Sequence, residues 1–226
     1  ATIAAGVATD AAGNNNAAST STDNTVTYDA TAPTVTIDQA LAQVDPTNVS
    51  PINFTVVFNE ATTNFATGDV TLGGTAGATT ATVTGGPTTY NVAVSGMTGD
   101  GTVIATIAAG VASDSLGNGN TASTSTDNTV TYDTTAPIVT IDQTLAQPDP
   151  TGASPINFIV VFNETTANFA TGDVTLGGTA GATTATVTGG PTTYNVAVTG
   201  MTGDGTVIAT IAAGVATDAA GNNNAA

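Results

Sequence analysis

The sequence predicts an all-β protein built of small sandwiches joined head to tail, and three observations carry that expectation. The chain repeats itself with a period of 104 residues: Ala-Thr-Ile-Ala-Ala-Gly-Val-Ala begins at Ala1, Ala105 and Ala209. Apolar side chains alternate with polar ones over short runs, the signature of half-buried strands, and no segment keeps a convincing helical period. Thr, Ala, Gly, Val and Asn dominate the composition, a palette for strands and the turns between them.

The period sets the domains. Comparison of 1–104 with 105–208 leaves 15 differences and 89 identities, the differences being mild or loop-like, such as Val44 against Pro148 and Asn48 against Gly152. So recent a duplication makes identity a weak guide to the importance of any one residue. A period near 100 is too long for a solenoid turn and fits one small domain per repeat. The phase comes from Tyr28-Asp29-Ala30-Thr31-Ala32-Pro33, repeated as Tyr132-Asp133-Thr134-Thr135-Ala136-Pro137. Pro fixes φ and holds the residue before it extended, so this segment reads as a short linker. Residues 1–29 are then the closing strands of a preceding repeat, 30–133 a complete repeat, and 134–226 a repeat lacking the counterpart of Ser123–Asp133. The sequence starts without an initiator Met or a signal peptide, which reads as a mature chain or a fragment, and the identity of Ala1–Ala18 with Ala209–Ala226 reads as a window of a longer tandem array. A sharper alternative is a filament subunit assembled by strand donation, with Ser19–Asp29 of another chain filling the open edge. Against it stands the duplication of residues 1–18 by 209–226, which compete for one place.

Within the complete repeat the elements follow in order. A first strand over Pro33–Gln39 alternates Val35 and Ile37 with Thr34, Thr36 and Asp38. A second over Ile52–Asn59 sets Ile52, Phe54, Val56 and Phe58 on one face. A short third strand covers Asp69–Leu72. The fourth, Thr79–Thr84, turns through Gly85-Gly86-Pro87 into the fifth, Thr88–Val94. The sixth runs over Thr102–Ala108 and the seventh over Asn128–Asp133. Seven short strands with turn signals between them give an immunoglobulin-like β-sandwich. Phe54, Phe58, Phe65, Leu72 and Tyr90 are its candidate core, and about 104 residues suffice to fold without staples.

Composition removes whole classes of chemistry. The 226 residues include no Lys, Arg, His, Cys or Trp, and 17 acids give a formal charge of −17. Without Cys there is no disulfide, thiolate nucleophile or Cys-bound zinc. Without His the serines have no ordinary base, and a Ser-His-Asp arrangement is excluded. Without Lys or Arg there is no Schiff base, no isopeptide cross-link through lysine, no trypsin site and no cationic grip on phosphate, so nucleic acid is an unfit partner. No apolar run approaches the roughly 20 residues of a membrane helix, and membrane insertion is not expected. Hydrophobic residues at 40% against charged residues at 8% oppose disorder. Asp133-Thr134-Thr135 is not an aspartic-protease motif, and paired-carboxylate glycoside hydrolysis is the only catalysis left open; the expectation is that the chain is not an enzyme.

The acids have a pattern of their own. Loops of a sandwich gather at its two ends. The end where the chain enters collects Asp29, Glu60, Asp69, Asp114, Asn118 and Asn120, and the end where it leaves collects Asp45, Asp100 and Asp133. In a head-to-tail array, Asp45, Asp100 and Asp133 then face Glu164, Asp173, Asp218, Asn222 and Asn224 of the next repeat. Two carboxylates about 4 Å apart repel by roughly 4 kcal/mol at an effective dielectric near 20, and the chain offers no cation to pair with them. They protonate, stand apart in water, or share a metal. Ca²⁺, which takes carboxylate, amide, carbonyl and water oxygens with tolerant geometry, is the expected structural ion. Asp114-x-x-x-Asn118-x-Asn120 is not the EF-hand pattern, and each acid taken singly also suits a turn, bonding its own backbone. Asp23 and Asp38 read as solvated surface. The sequons at Asn48, Asn53 and Asn163 each occur in one copy only, which favours chance. Thr-rich faces leave open O-linked sugar and a glycan- or ice-binding module.

Phe58-Asn59-Glu60, Phe65, Gly68-Asp69-Val70, Val103–Ala109, Asp114-x-x-Gly117-Asn118 and the Tyr132–Pro137 linker together resemble the bacterial immunoglobulin-like repeats of giant secreted adhesins and surface fibres. The resemblance spans the chain, with Asn59 and Asn163 where the family often has Ser. It is similar as well to the extender regions of calcium-dependent adhesins. The resemblance implies an extracellular stalk on the bacterial surface, stiffened by Ca²⁺ at domain junctions, whose partners are neighbouring repeats of the same or identical chains and, as a further class, glycans.

Overall fold

The structure, a computed structural model, describes all residues 1–226. Every regular element is a β-strand, so no helix is present that is long and apolar enough to cross a membrane. The first unit contains β1 (Val35–Gln39), β2 (Ile52–Phe58), β3 (Val70–Gly73), β4 (Thr80–Gly85), β5 (Thr89–Ser95), β6 (Gly101–Ile107) and β7 (Thr129–Tyr132). These are the seven expected strands, each displaced by two residues at most.

They form two antiparallel sheets, ordered β1-β2-β5-β4 and β3-β6-β7. The alternation along β2 is why this segment is a strand rather than a helix. Ile52, Phe54, Val56 and Phe58 are buried and the residues between them are not, and such a period serves only a surface with one wet face. Register follows from the same constraint, because a slip of one residue would turn that row outward. The two inner faces meet in one cluster of 18 buried residues, to which every strand but β4 gives at least one valine, isoleucine or phenylalanine. Leu72 packs against this cluster half-buried. Phe58, Phe65 and Tyr90 meet edge-to-face with centroids 5.0–5.9 Å apart. The turn into β5 closes over this trio. At Gly86, with φ of 110°, an added Cβ would sit 2.7 Å from the Tyr90 ring, so only glycine fits.

The segment from Thr121 to Asp133 closes the sandwich between its sheets. It first runs along β1, with Thr121 and Thr124 donating to Pro33 and Val35 carbonyls and Ile37 and Gln39 donating back. It then pairs as β7 with β6, from Gly101 opposite Tyr132 to Ile104 opposite Thr129. Asp38, read from sequence as solvated surface, anchors this crossing, accepting from Ser125 Oγ at 2.7 Å and from the Thr126 and Asp127 amides.

The second unit repeats the pattern as β8 (Val139–Gln143), β9 (Ile156–Phe162), β10 (Val174–Gly177), β11 (Thr184–Gly189), β12 (Thr193–Thr199) and β13 (Ile208–Ile211). Its sheets are β11-β12-β9-β8 and β10-β13, and no strand lies on the far side of β13. Residues 1–32 form no strand. They fold back locally through a bridge between Thr9 and Asn15, and Val26 and Tyr28 lie 92% and 89% exposed. The strands expected over 1–29 lack a sheet to join, and a lone hairpin is marginal in water.

Candidate cation sites at the repeat junctions

The loop after β6 is built by its own side chains. Asp114 Oδ1 accepts from the Leu116 and Asn118 amides at 2.8 and 2.9 Å, and Oδ2 accepts from Asn118 Nδ2 at 2.8 Å. Asn120 Oδ1 accepts from the Ala112 amide, and its Nδ2 donates to the Ala108 and Thr121 carbonyls. The same bonds recur at Asp10 and Asn16, where no sandwich surrounds them. Asp218 and Asn224 repeat the pattern in the second unit. The loop is therefore a local property of Asp-x-x-Gly-Asn-x-Asn, an Asx-type turn extended by a second amide. The Asn118 amide, with backbone donors, holds the Asp114 carboxyl below the usual carboxylate range despite its burial.

This loop places an acid against the linker. Asn118 Nδ2 also reaches the Asp29 carbonyl at 3.3 Å. Its counterpart Asn222 donates to the Asp133 carbonyl at 2.9 Å and to Asp218 Oδ2 at 2.8 Å. A glutamate just after the second strand of each unit completes a cluster. Asp29, Glu60 and Asp114 bring one carboxylate oxygen each within 4.8 Å of the others, and Asp133, Glu164 and Asp218 do the same. Asp114 and Asp218 are buried, and the other four are half-buried. In the second cluster burial raises the Glu164 carboxyl above its ordinary value, and repulsion from Asp218 and Asp133 adds to it.

The second cluster lies where one unit meets the next. Asn48, in the loop between β1 and β2, donates from Nδ2 to Asn222 Oδ1 at 2.9 Å and from its backbone amide to the Ala220 carbonyl at 3.3 Å. Asn222 is thereby tied to its own loop, the linker and the preceding unit. Sequence reasoning marked Asn48 only as a sequon and as a difference from Gly152. Nothing in a single sequence shows that its side chain crosses a junction.

The other expected ligands lie elsewhere. Asp69 and Asp173 accept from the Ala66 and Ala170 amides in the turns before β3 and β10. Asp45 accepts from the Thr131 amide at 2.9 Å and so holds β7. Asp100 binds the linker through the Thr134 amide at 2.7 Å and the Thr134 and Thr135 hydroxyls. Asn120 and Asn224 spend their amides within their own loops. Of the three acids expected at the leaving end, Asp133 alone joins a cluster. The physical reason is competition: Asp45 and Asp100 stand beside unpaired amides and hydroxyls that satisfy them one by one.

Each cluster is three carboxylates beside a linker carbonyl, with the asparagine turning its Nδ2, a donor, toward the carbonyl and one carboxylate. Carboxylate and carbonyl oxygens of this kind are ligands that a hard divalent cation takes. No protein-family model matches the chain, and no curated protein is significantly similar to it.

Proposed function

We propose that the chain is a structural repeat module of an extracellular bacterial fibre or adhesin stalk, built of immunoglobulin-like sandwiches in series and stiffened by cations at the junctions. The observation that carries this reading is the position of the Asp133–Glu164–Asp218 cluster, which draws on the linker, the loop after β9 and the loop after β13 while Asn48 of the preceding unit bonds Asn222. Asp133, Glu164 and Asp218 would hold the ion, with Asn222 orienting the two aspartates and their linker. A bound Ca²⁺ would supply the positive charge that these carboxylates lack. The linker is short and has no Gly/Ser tether to act as a free joint. In this reading the repeats carry no catalysis, and their task is to transmit force and hold distance.

Thermal unfolding in EDTA and in millimolar Ca²⁺, with small-angle scattering on both samples, tests the proposal. Linkage predicts a rise of several kcal/mol in stability at saturating ion, together with a longer and narrower distribution of dimensions. Identical melting curves and identical scattering would overturn it.

A further inference from the structure

The loop Asp-x-x-Gly-Asn-x-Asn occurs three times in the chain, and one position tells the copies apart. Gly119 follows Asn118, whereas Asn15 follows Asn14 and Asn223 follows Asn222. Asn118-Gly119 is the one Asn-Gly pair in the sequence. The backbone does not demand this glycine. Its φ lies outside the left-handed region, and asparagine stands at the same place in both other copies. An added Cβ at Gly119 would lie 3.3 Å from Gly110 Cα, a contact that the second unit accommodates at Asn223. What glycine supplies is a main-chain nitrogen with no side chain to shield it from the neighbouring amide.

The fold leaves that nitrogen available. Gly119 is exposed. Its antiparallel bridge to Ser113 is carried by the bonds on either side, from Asp114 N to the Asn118 carbonyl at 3.2 Å and from Asn120 N to the Ala112 carbonyl at 2.8 Å, while the Gly119 N–H donates to no protein group. The neighbouring side chain is lightly held. Asn118 Nδ2 donates to Asp114 Oδ2 at 2.8 Å and reaches the Asp29 carbonyl at 3.3 Å, and its Oδ1 accepts nothing. Asn222 is held harder. Its Nδ2 bonds are 2.8 and 2.9 Å long, and its Oδ1 accepts from Asn48 Nδ2 at 2.9 Å. Freeing the side chain in the first unit therefore breaks fewer bonds than in the second, and local opening of an exposed loop lies at the low end of the free-energy range.

We propose that Asn118 is a site of self-modification, at which the Gly119 nitrogen closes on Asn118 Cγ. The nitrogen gives its proton to hydroxide and forms the N–Cγ bond. The Cγ–Nδ2 bond breaks, and Nδ2 takes a proton from water and leaves as ammonia. Water then opens the cyclic imide at either of its carbonyls, giving aspartate or isoaspartate at position 118. Nothing is oxidised or reduced. Both products add a carboxylate beside Asp29, Glu60 and Asp114, in a chain without Lys, Arg or His to balance it. Both also remove the donor that ties the loop to the linker at Asp29. Isoaspartate further inserts a methylene into the main chain at the bridge to Ser113. The first unit thus changes its linker contact with age, while the second, with Asn223 after Asn222, stays as made. The proposal does not depend on either cluster taking up a cation.

Incubation of the whole chain in EDTA at about pH 7 and about pH 9, followed by peptide mapping and mass spectrometry, tests it. The expected result is replacement of the amide by a carboxyl group in the peptide that holds Asn118, with aspartate and isoaspartate forms resolved and with Asn14 and Asn222 intact. The change is faster at the higher pH, because the attacking nitrogen must lose its proton. Gly119→Asn, which reproduces the loop of the second unit, brings Asn118 down to the level of Asn222. The reverse exchange, Asn223→Gly, makes Asn222 react, and adding Asn48→Gly quickens it by removing a bond from its side chain. An Asn118 that stays intact at both pH values overturns the proposal. So does modification spread evenly over Asn14, Asn118 and Asn222, or a rate that Gly119→Asn leaves unchanged.

Discussion

The two units are nearly one sequence in two physical situations. In the first, Val130 and its neighbours stand between the sheets, and Ile37, Ile52, Phe54 and Val103 are sealed from water. In the second, the same residue types at 141, 156, 158 and 207 are half-exposed. The strands themselves survive, with the same registers in β8–β9–β12–β11 as in β1–β2–β5–β4. Strand pairing in the larger sheet thus needs only local alternation, whereas a closed core needs the last segment. The Phe162–Phe169–Tyr194 trio persists with centroids 5.0–5.9 Å apart, which locates the part of the core that does not depend on that segment.

The comparison can be broken first at its strongest point. Val130→Asp should cost the first unit about 3–5 kcal/mol, the cost of a buried unpaired charge, and leave it resembling the second. Val26→Asp should leave the melting of the chain unchanged. Calorimetry distinguishes the two outcomes. Ile37→Ala should follow at about 3 kcal/mol, with Ile141→Ala at roughly half that, since the cost of truncation scales with burial. Equal costs in denaturant titration would mean that the second core is closed in solution.

The junctions invite a finer test. In EDTA, Glu164→Gln should stabilise the second unit, removing a charge that burial and two aspartates oppose. Its pH dependence has a definite sign. Because the folded unit holds the Glu164 carboxyl above its ordinary value of 4.5, the stabilisation from protonation is complete below about that pH and is lost as pH rises through the raised value. The metal-free unit should therefore melt higher at pH 5 than at pH 7. Asp114, held low, acts oppositely, and its contribution disappears only as pH falls below its ordinary value of 3.8. With Ca²⁺ the trend of the second unit should reverse, because protons and ion compete for Glu164. Smallest of all, Asn48→Gly should remove one side-chain bond across the junction, about 1 kcal/mol of coupling, and widen the scattering distribution. Gly152 already stands at the corresponding place in the second repeat, so a junction formed there lacks this clamp.

Strand positions were legible because alternation is local: Ile52 to Phe58 can bury one face in only one way. The period of 104 residues was legible as arithmetic. Loop chemistry was legible in kind but not in assignment. Asp114 and Asn118 were singled out together and do meet, and Asp29 and Glu60 join them, because the strands carry them to one end. Asp69, Asp100 and Asp45 share that residue chemistry, yet nearby amides and hydroxyls absorb them, and proximity at that scale is set by loop geometry. Asp38 reads from sequence as solvated surface, and Asn48 as a sequon and a repeat difference, for the converse reason. Their partners lie 87 and 174 residues away, and no local signal marks an acid or amide whose partner is so remote.

Calorimetric titration of Ca²⁺ into the EDTA-stripped chain tests the cation-stiffened junction most directly. The account predicts about one ion for each of the two acidic clusters, with Glu164→Gln abolishing one binding event and Glu60→Gln the other. Absence of binding, or binding that survives both substitutions unchanged, would contradict it.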